Sequence, residues 1–380
     1  MPLVSQMHLT VEPQPTLLFG VDAVDQLAQA VIRTGHNRAL IITDHGLIAT
    51  GIPARLLDIL GSSNIEVKVF DAVTANPGTS TLDAGASVAR AFGPCTLVAV
   101  GGGSSIDVAK GLGIAAVNAG SGRDFDYRLP QKNAGLPLIC IPTTAGTGAE
   151  TNAGEKFYVG NASMMPRYVI CDPMLTVGLP PRPTAATGID ALAHAIEAVS
   201  AKNQNPIADG LAFEAIGMII NWLPKAVTRG NDIEARSQML LAAHIAGRAF
   251  ATGTGLGLAH GIAHPLSARA GSVHGEALAV LLPYVMRFNL SERAEVYGRL
   301  AHQLGVADPA ADAASGAQSF IETVQALISK LGLPTHLADV GGTSEMIPWI
   351  AKKALEDEVT LNAPIFPELS DVTNILEMAM

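Results

Sequence analysis

Cys95–Val117 reads CTLVAVGGGSSIDVAKGLGIAAV. The first six residues carry no charge and form a run of the length and apolarity expected of a strand buried on both faces. Three consecutive glycines follow, and from Ile106 to Val117 the pattern is helical. Strand, glycine turn and helix in immediate succession is the building unit of an open parallel sheet.

The same rhythm recurs on either side. Thr16–Phe19 reads as a short strand and Asp22–Thr34 as a helix with Val24, Leu27, Ala28 and Val31 on one face. Arg38–Thr43 (RALIIT) is a buried strand that ends at Asp44. Ile52–Gly61 is helical, Glu66–Phe70 a strand, Ser80–Phe92 a helix, and Leu136–Ile141 a strand that runs into PTTAGTG. This alternation predicts an N-terminal α/β domain with a doubly wound, Rossmann-like parallel sheet and right-handed crossovers. From about Thr184 the rhythm changes to long alanine-rich helical patterns at Gly188–Ser200, Pro206–Trp222, Asp232–Ala251 and Gly257–Ala268. Pro180, Pro181 and Pro183 punctuate the switch. Two domains follow from the length of 380 residues as well: 1–183, α/β, and 184–380, all-helical.

Composition narrows the function classes. The chain is 48% hydrophobic, 15% charged and 4% aromatic, which suits a buried sheet under close-packed helices. A net charge of −10 argues against nucleic acid, which needs a clustered basic surface. Cys95, Cys140 and Cys171 show no CxxC spacing and lie in or beside apolar runs, as buried free thiols in a reducing compartment do. The N-terminal MPLVSQMHLT lacks a basic n-region and an apolar h-region, and no apolar run approaches the ~20 residues of a membrane span. A cytoplasmic protein without a membrane segment is the expectation.

Two loops have the chemistry of anion sites. Gly101-Gly102-Gly103-Ser104-Ser105 precedes a helix, so backbone N–H groups can approach a phosphate with no Cβ in the way and with the helix N-terminus behind them. The same residues could form only a tight turn. Ser104 and Asp107 have the spacing of a capping box. Thr143-Thr144-Ala145-Gly146-Thr147-Gly148 follows another strand and adds hydroxyls. Two such loops at the carboxyl ends of parallel strands suggest a pyrophosphate. Asp44 could accept from a ribose 2′-OH and would repel a 2′-phosphate, which favours NAD over NADP; it could equally be a turn residue.

A second constellation lies in the helical half. Leu258–Gly275, LAHGIAHPLSARAGSVHG, holds His260, His264 and His274, three of the chain's ten histidines. Asp190 and His194 stand four apart and share a helix face. One carboxylate with several neutral imidazoles suits a borderline divalent ion, Fe²⁺ or Zn²⁺, and would leave a +1 centre able to polarise a carbonyl. His194 by itself could be a satisfied core histidine. The set has no cysteine ligand, which argues against a structural zinc finger, and His-Gly-Ile-Ala-His lacks the glutamate of a zinc-protease helix. Phe250, Thr252, Thr254 and Leu256, just before the histidines, are candidates to line a pocket or to pack a helix end.

The segments GGGSSIDVAK (101–110), IPTTAGTGAE (141–150), CDP (171–173), ATGIDALAHAIE (186–197), GLGLAHGIAHPLSARAGSVHG (255–275) and LGLPTHLADVGG (331–342) resemble the iron-containing (group III) alcohol dehydrogenases through most of the chain. The resemblance implies a dinucleotide-binding domain, a helical metal-binding and substrate domain, and an active site in the cleft between them. It implies Asp190, His194, His260 and His274 as metal ligands, and His264 near the nicotinamide and the reacting oxygen as the catalytic, non-ligating histidine. It implies nucleotide contacts at Asp44, Gly102, Gly103, Ser104, Thr143, Thr144, Thr147 and Lys156. The segment between Glu150 and Lys156 is shorter than in the family, where a hairpin is common. Ala363 separates Asn362 from Pro364 where members often carry Asn-Pro, which bears on how the last helix begins.

The implied activity is a metal-dependent NAD(H)-linked alcohol dehydrogenase or aldehyde reductase acting on a small alcohol or aldehyde. The metal would bind the substrate oxygen, hydride would pass between the carbinol carbon and the nicotinamide, and a proton would leave through water or His264. A homodimer or larger homo-oligomer is the implied assembly. The alternatives on the same scaffold are a maleylacetate-reductase-like enzyme without a metal and a dehydroquinate-synthase-like enzyme in which NAD and metal serve an elimination. A nucleotide-sensing protein without turnover would leave the metal set unexplained.

Overall fold

The computed structural model describes residues 9, 11, 13–75, 77–126, 131–153 and 162–380. The chain divides into two compact units. One is formed by Pro13–Leu179 with Asn231–His244, the other chiefly by Pro180–Gly230 and Ile245–Met380.

The first unit is built on six parallel strands: β1 (Thr16–Phe19), β2 (Arg38–Asp44), β3 (Glu66–Val73), β4 (Thr96–Gly101), β5 (Leu138–Pro142) and β6 (Tyr168–Cys171). Their order across the sheet is β1-β6-β5-β4-β2-β3. Helices α1 (Leu27–Arg33), α2 (His45–Ile48), α3 (Ile52–Ser62), α4 (Thr79–Phe92) and α5 (Gly103–Ala115) connect them. Each central strand sends alternate side chains to opposite faces. Leu40 and Ile42 of β2, Leu97 and Ala99 of β4, and Cys140 of β5 pack with Leu82, Ala86 and Phe92 of α4 and Ile106 of α5. Ala39 and Ile41, Val98 and Val100, and Ile139 and Ile141 pack on the other face with Leu27 and Val31 of α1 and Leu56 and Leu60 of α3. Both faces are therefore apolar, which is why these strands read as unbroken hydrophobic runs. The strand order reverses between β2 and β4, and this switch point is where an open α/β sheet presents its ligand crevice.

The second unit is helical among the described residues. Its elements are α6 (Pro181–Ser200), α7 (Pro206–Thr228), the end of α8 (Ile233–Ala249), α9 (Leu258–Ala270), α10 (His274–Phe288), α11 (Leu290–Leu304), α12 (Ala313–Lys330), α13 (Ile347–Glu356) and α14 (Leu369–Met378). A π-helical turn, Phe250–Thr254, follows α8. Helix α7 is long and apolar enough to cross a bilayer by length and composition alone. Its Ala208, Ala212, Ala215, Ile216, Ile219 and Leu223 are buried in its own unit, as in a core helix.

Several elements differ from the sequence reading. Helix α6 begins at Pro181 instead of Gly188, because proline is tolerated in a first turn whose N–H groups have no partner. Helix α7 continues through Pro224 to Thr228, and Asp22–Thr34 divides into a 3₁₀ turn and α1. Strand β6 was not anticipated. Helix α5 starts at Gly103 with Gly102 as its N-cap and no side-chain cap, so the Ser104–Asp107 capping box does not form. The last helix, α14, is entered through a capping box of Glu368 and Asp371, without an Asn-Pro pair.

Candidate metal centre and nucleotide loops

Helix α6 carries Asp190, His194 and Glu197 on one stripe, at i, i+4 and i+7. Asp190 is 4% exposed, and His194 and His260 are 3% and 1% exposed. The Nε2 atoms of His194, His260 and His274 lie 3.3, 3.4 and 3.7 Å from a single atom, Asp190 Oδ1. Ligand atoms of Asp190, His260 and His274 fall within 4.8 Å of one another. The rings pack as well: His194 stacks on His260 at 4.8 Å, and Phe250 lies against His194 at 5.0 Å.

Two devices bring His274 to α6. Arg182, in the first turn of α6, holds Glu276 of α10 through two hydrogen bonds of 2.5 and 2.9 Å. Gly275 follows the histidine, and a Cβ there would overlap the Ala186 carbonyl, so only glycine lets α10 approach this closely.

Burying an ion costs several kcal/mol unless it is compensated. Burial raises the Asp190 carboxyl, but the imidazoles of His194, His260 and His274 outweigh it and hold the group well below the usual carboxylate range. Burial lowers His260, but Glu197 and Asp190 outweigh it and raise the imidazole to about 9. A deeply buried carboxylate facing three imidazole nitrogens is thus a place that attracts positive charge, and these nitrogen and oxygen donors suit a borderline divalent ion. The residues fit such an ion.

His264 has a different environment. Its Nδ1 hydrogen-bonds Asp357 Oδ2 at 2.8 Å, and its side chain is 24% exposed. Its ring stacks on His274 at 5.5 Å. The second oxygen of Asp357 accepts from the Val359 amide at 3.1 Å, which anchors the carboxylate. Sequence reasoning missed both Asp357 and Glu197. Asp357 leaves no local signal, since it lies 93 residues from His264. Glu197 could have been noticed from its seven-residue spacing to Asp190.

In the α/β unit, the two glycine and threonine loops abut at the carboxyl ends of β4 and β5. The Thr143 amide donates to the Gly101 carbonyl at 3.0 Å. Gly101 has φ +143°, a backbone that side chains disfavour. A Cβ on Gly102 would lie 3.6 Å from Thr144, and one on Gly103 3.1 Å from Thr147. Thr144 Oγ1 is buried with no hydrogen-bond partner among the described residues. Gly102, Gly103, Ser104, Thr143, Thr144 and Thr147 therefore form one cradle, with an orphaned hydroxyl and the N-terminus of α5 available to an anion. Asp44 ends β2 on the other side of the switch point, and its Oδ1 caps α2 by accepting from the Leu47 amide at 2.9 Å. Lys156 lies outside the described residues.

Phe250 stands against a candidate ligand, and Thr252 and Thr254 are packed at the end of α8. They are 2% and 0% exposed, and their hydroxyls donate to the carbonyls of Arg248 and Ala249. Cys95, Cys140 and Cys171 are free and buried.

Residues 14–173 match the family model described as iron-containing alcohol dehydrogenase, and residues 184–380 match the model of the C-terminal part of the Fe-containing alcohol dehydrogenase family. The chain is 35% identical to the lactaldehyde reductase of Escherichia coli (strain K12) over 96% of its own length and 97% of that protein's. It is 34% identical to the NAD-dependent methanol dehydrogenase of Bacillus methanolicus, over 96% and 98%. A solved structure of 1,3-propanediol oxidoreductase superposes with a TM-score of 0.93 at 33% identity, covering 98% of this chain and 100% of that one.

Proposed function

Since the chain belongs to the iron-containing alcohol dehydrogenase family, oxidoreductases acting on alcohols and aldehydes, we propose that it uses NAD(H) and a divalent ion, Fe²⁺ or Zn²⁺, to interconvert a small alcohol and its aldehyde or ketone. The convergence of three imidazole nitrogens on Asp190 Oδ1 carries this reading. Asp190, His194, His260 and His274 hold the ion. When bound, the ion would supply a Lewis acid for the substrate oxygen and NAD(H) a hydride acceptor or donor for the carbinol carbon.

The remaining steps belong to the chain. The amides of Gly102, Gly103 and Ser104 and the hydroxyls of Thr143, Thr144 and Thr147 bind the pyrophosphate. Asp44 spends one oxygen on α2 and offers the other to the ribose 2′-OH, which favours NAD over NADP. Lys156 belongs to the same nucleotide set by family resemblance. Asp357 accepts the Nδ1 proton of His264, which leaves the Nε2 lone pair free to take the alcohol's proton and pass it to water through the exposed side of the ring. In the reverse direction the same nitrogen returns the proton. The family resemblance further supports a cytoplasmic homodimer or larger homo-oligomer.

The rival elimination chemistry consumes no net NAD. Purified, metal-loaded protein should therefore form NADH stoichiometrically with the aldehyde from a short primary alcohol or diol. An absence of net NADH across a panel of such substrates would remove the reading.

A further inference from the structure

We propose that Glu197 is the positioning residue of the metal centre, acting through His260; this rests on the reading of Asp190, His194, His260 and His274 as ligands. Glu197 sits one heptad beyond Asp190 on α6 and is 5% exposed. Both of its oxygens are turned to the N-terminus of α9. Oε2 accepts from His260 Nδ1 at 2.6 Å and from the Gly257 amide at 2.9 Å, and Oε1 accepts from the Ala259 amide at 2.6 Å and the His260 amide at 3.4 Å. These are donors that the first turn of a helix cannot satisfy internally, and α9 has no side-chain cap of its own. Gly257 permits the approach, because a Cβ there would stand 3.1 Å from Oε1.

One carboxylate therefore does two things to one histidine. It fixes where His260 begins its helix, and it determines which ring nitrogen carries the proton. With the proton on Nδ1, held by Glu197, the Nε2 lone pair is directed to the point shared with Asp190 Oδ1. The opposite tautomer would present an N–H there and could not ligate. Three backbone N–H groups and His260 Nδ1 surround the two Glu197 oxygens, the setting of a carboxylate and not of a carboxylic acid. Glu197 and Asp190 together contribute two negative charges to the buried site, the number a divalent cation cancels. The +1 centre expected from one carboxylate becomes neutral once Glu197 is counted.

Glu197→Gln separates this role from simple capping. Glutamine keeps one acceptor oxygen but brings an amide NH₂, which cannot accept from His260 Nδ1 and the α9 amides together. Zn²⁺ affinity of the full-length protein, by competition with a chromophoric chelator, is expected to fall roughly 10–100-fold. The deciding measurement repeats the substitution in a His260→Ala background, with thermal midpoints recorded for every variant. If Glu197 acts through His260, the second substitution changes Zn²⁺ affinity by less than about twofold in that background, since additivity fails between coupled residues. An equal loss in both backgrounds, tracking a lowered midpoint, would mean that Glu197 only caps α9 and would overturn the proposal. If Glu197→Gln does not fold, Glu197→Asp, which withdraws the carboxylate by one methylene, is read in the same cycle. Wild-type protein that binds no Zn²⁺, or His260→Ala that binds as tightly as wild type, would sink the metal reading itself. Wild-type behaviour of Glu197→Gln with a weakened His260→Ala would sink this inference alone.

Discussion

At the carboxyl ends of β4 and β5, the atoms offered to a ligand are backbone amides and short hydroxyls on consecutive residues. Around Asp190 they are side-chain atoms from three helices, α6, α9 and α10, up to 84 residues apart in sequence, as the pairing of Asp190 with His274 shows. As a nucleotide cradle the first region would work by having little side chain: Gly102 and Gly103 would clear the approach, and the N-terminus of α5 would provide the field. The second works by side-chain convergence, so its precision depends on helix packing and on second partners such as Glu197 and Asp357. A change in the first region should act on nucleotide binding and leave metal alone; a change in the second should do the reverse.

The largest separation is expected from His264→Ala. Loss of a proton relay should lower kcat by roughly 10²–10⁴-fold, while metal content by elemental analysis stays at the wild-type level. A variant that loses its metal would make His264 a ligand and blur the division within the helical site. Gly103→Val tests the other region. Its side chain would start 3.1 Å from Thr147, and overfilling a packed site costs about 1–3 kcal/mol, so NADH affinity by fluorescence titration should weaken up to roughly 100-fold. Zn²⁺ affinity should not move. Asp44→Ala should be milder. The ratio of kcat/KM for NAD over NADP should narrow roughly tenfold, the effect of about 1.5 kcal/mol from a charged hydrogen bond, with about 1 kcal/mol of stability lost with the α2 cap.

The smallest effect concerns the cysteines. Burial raises Cys95 to about 11, and Cys140 and Cys171 higher still. A folded-state pKa above the unfolded value means that the unfolded chain loses its proton first. The contribution is therefore fully present below pH 9 and is lost as the pH rises through about 11 for Cys95. Denaturation midpoints should decline over that window, less so in Cys95→Ala, and a thiol reagent at pH 8 should label native protein only on unfolding. Rapid native labelling would contradict the burial.

The same contrast explains what could be read from the chain. Strands β2 and β4 were legible because both faces are buried and the run is unbroken. Strand β6 was not, although Tyr168–Cys171 is as long as β1, which was read: four residues carry too little pattern to decide either way. The turn from β4 into a helix was legible, but the helix was placed too late: Gly103 enters it, which a rule based on side-chain caps does not foresee. Asp190, His194, His260 and His274 stood out by residue type. Glu197 did not, since a glutamate on an alanine-rich helix reads as a solvated face until α9 is seen resting on it. Asp357 meets His264 only through the packing of the helical unit.

That metal and nucleotide serve one reaction from two separately built sites is our proposal. It is tested most directly by stripping the purified protein with a chelator and measuring NADH binding and NAD-linked alcohol oxidation on the same sample. The prediction is that NADH still binds, that oxidation is lost, and that Fe²⁺ or Zn²⁺ restores it. Oxidation at the full rate in protein shown to hold no metal would contradict it.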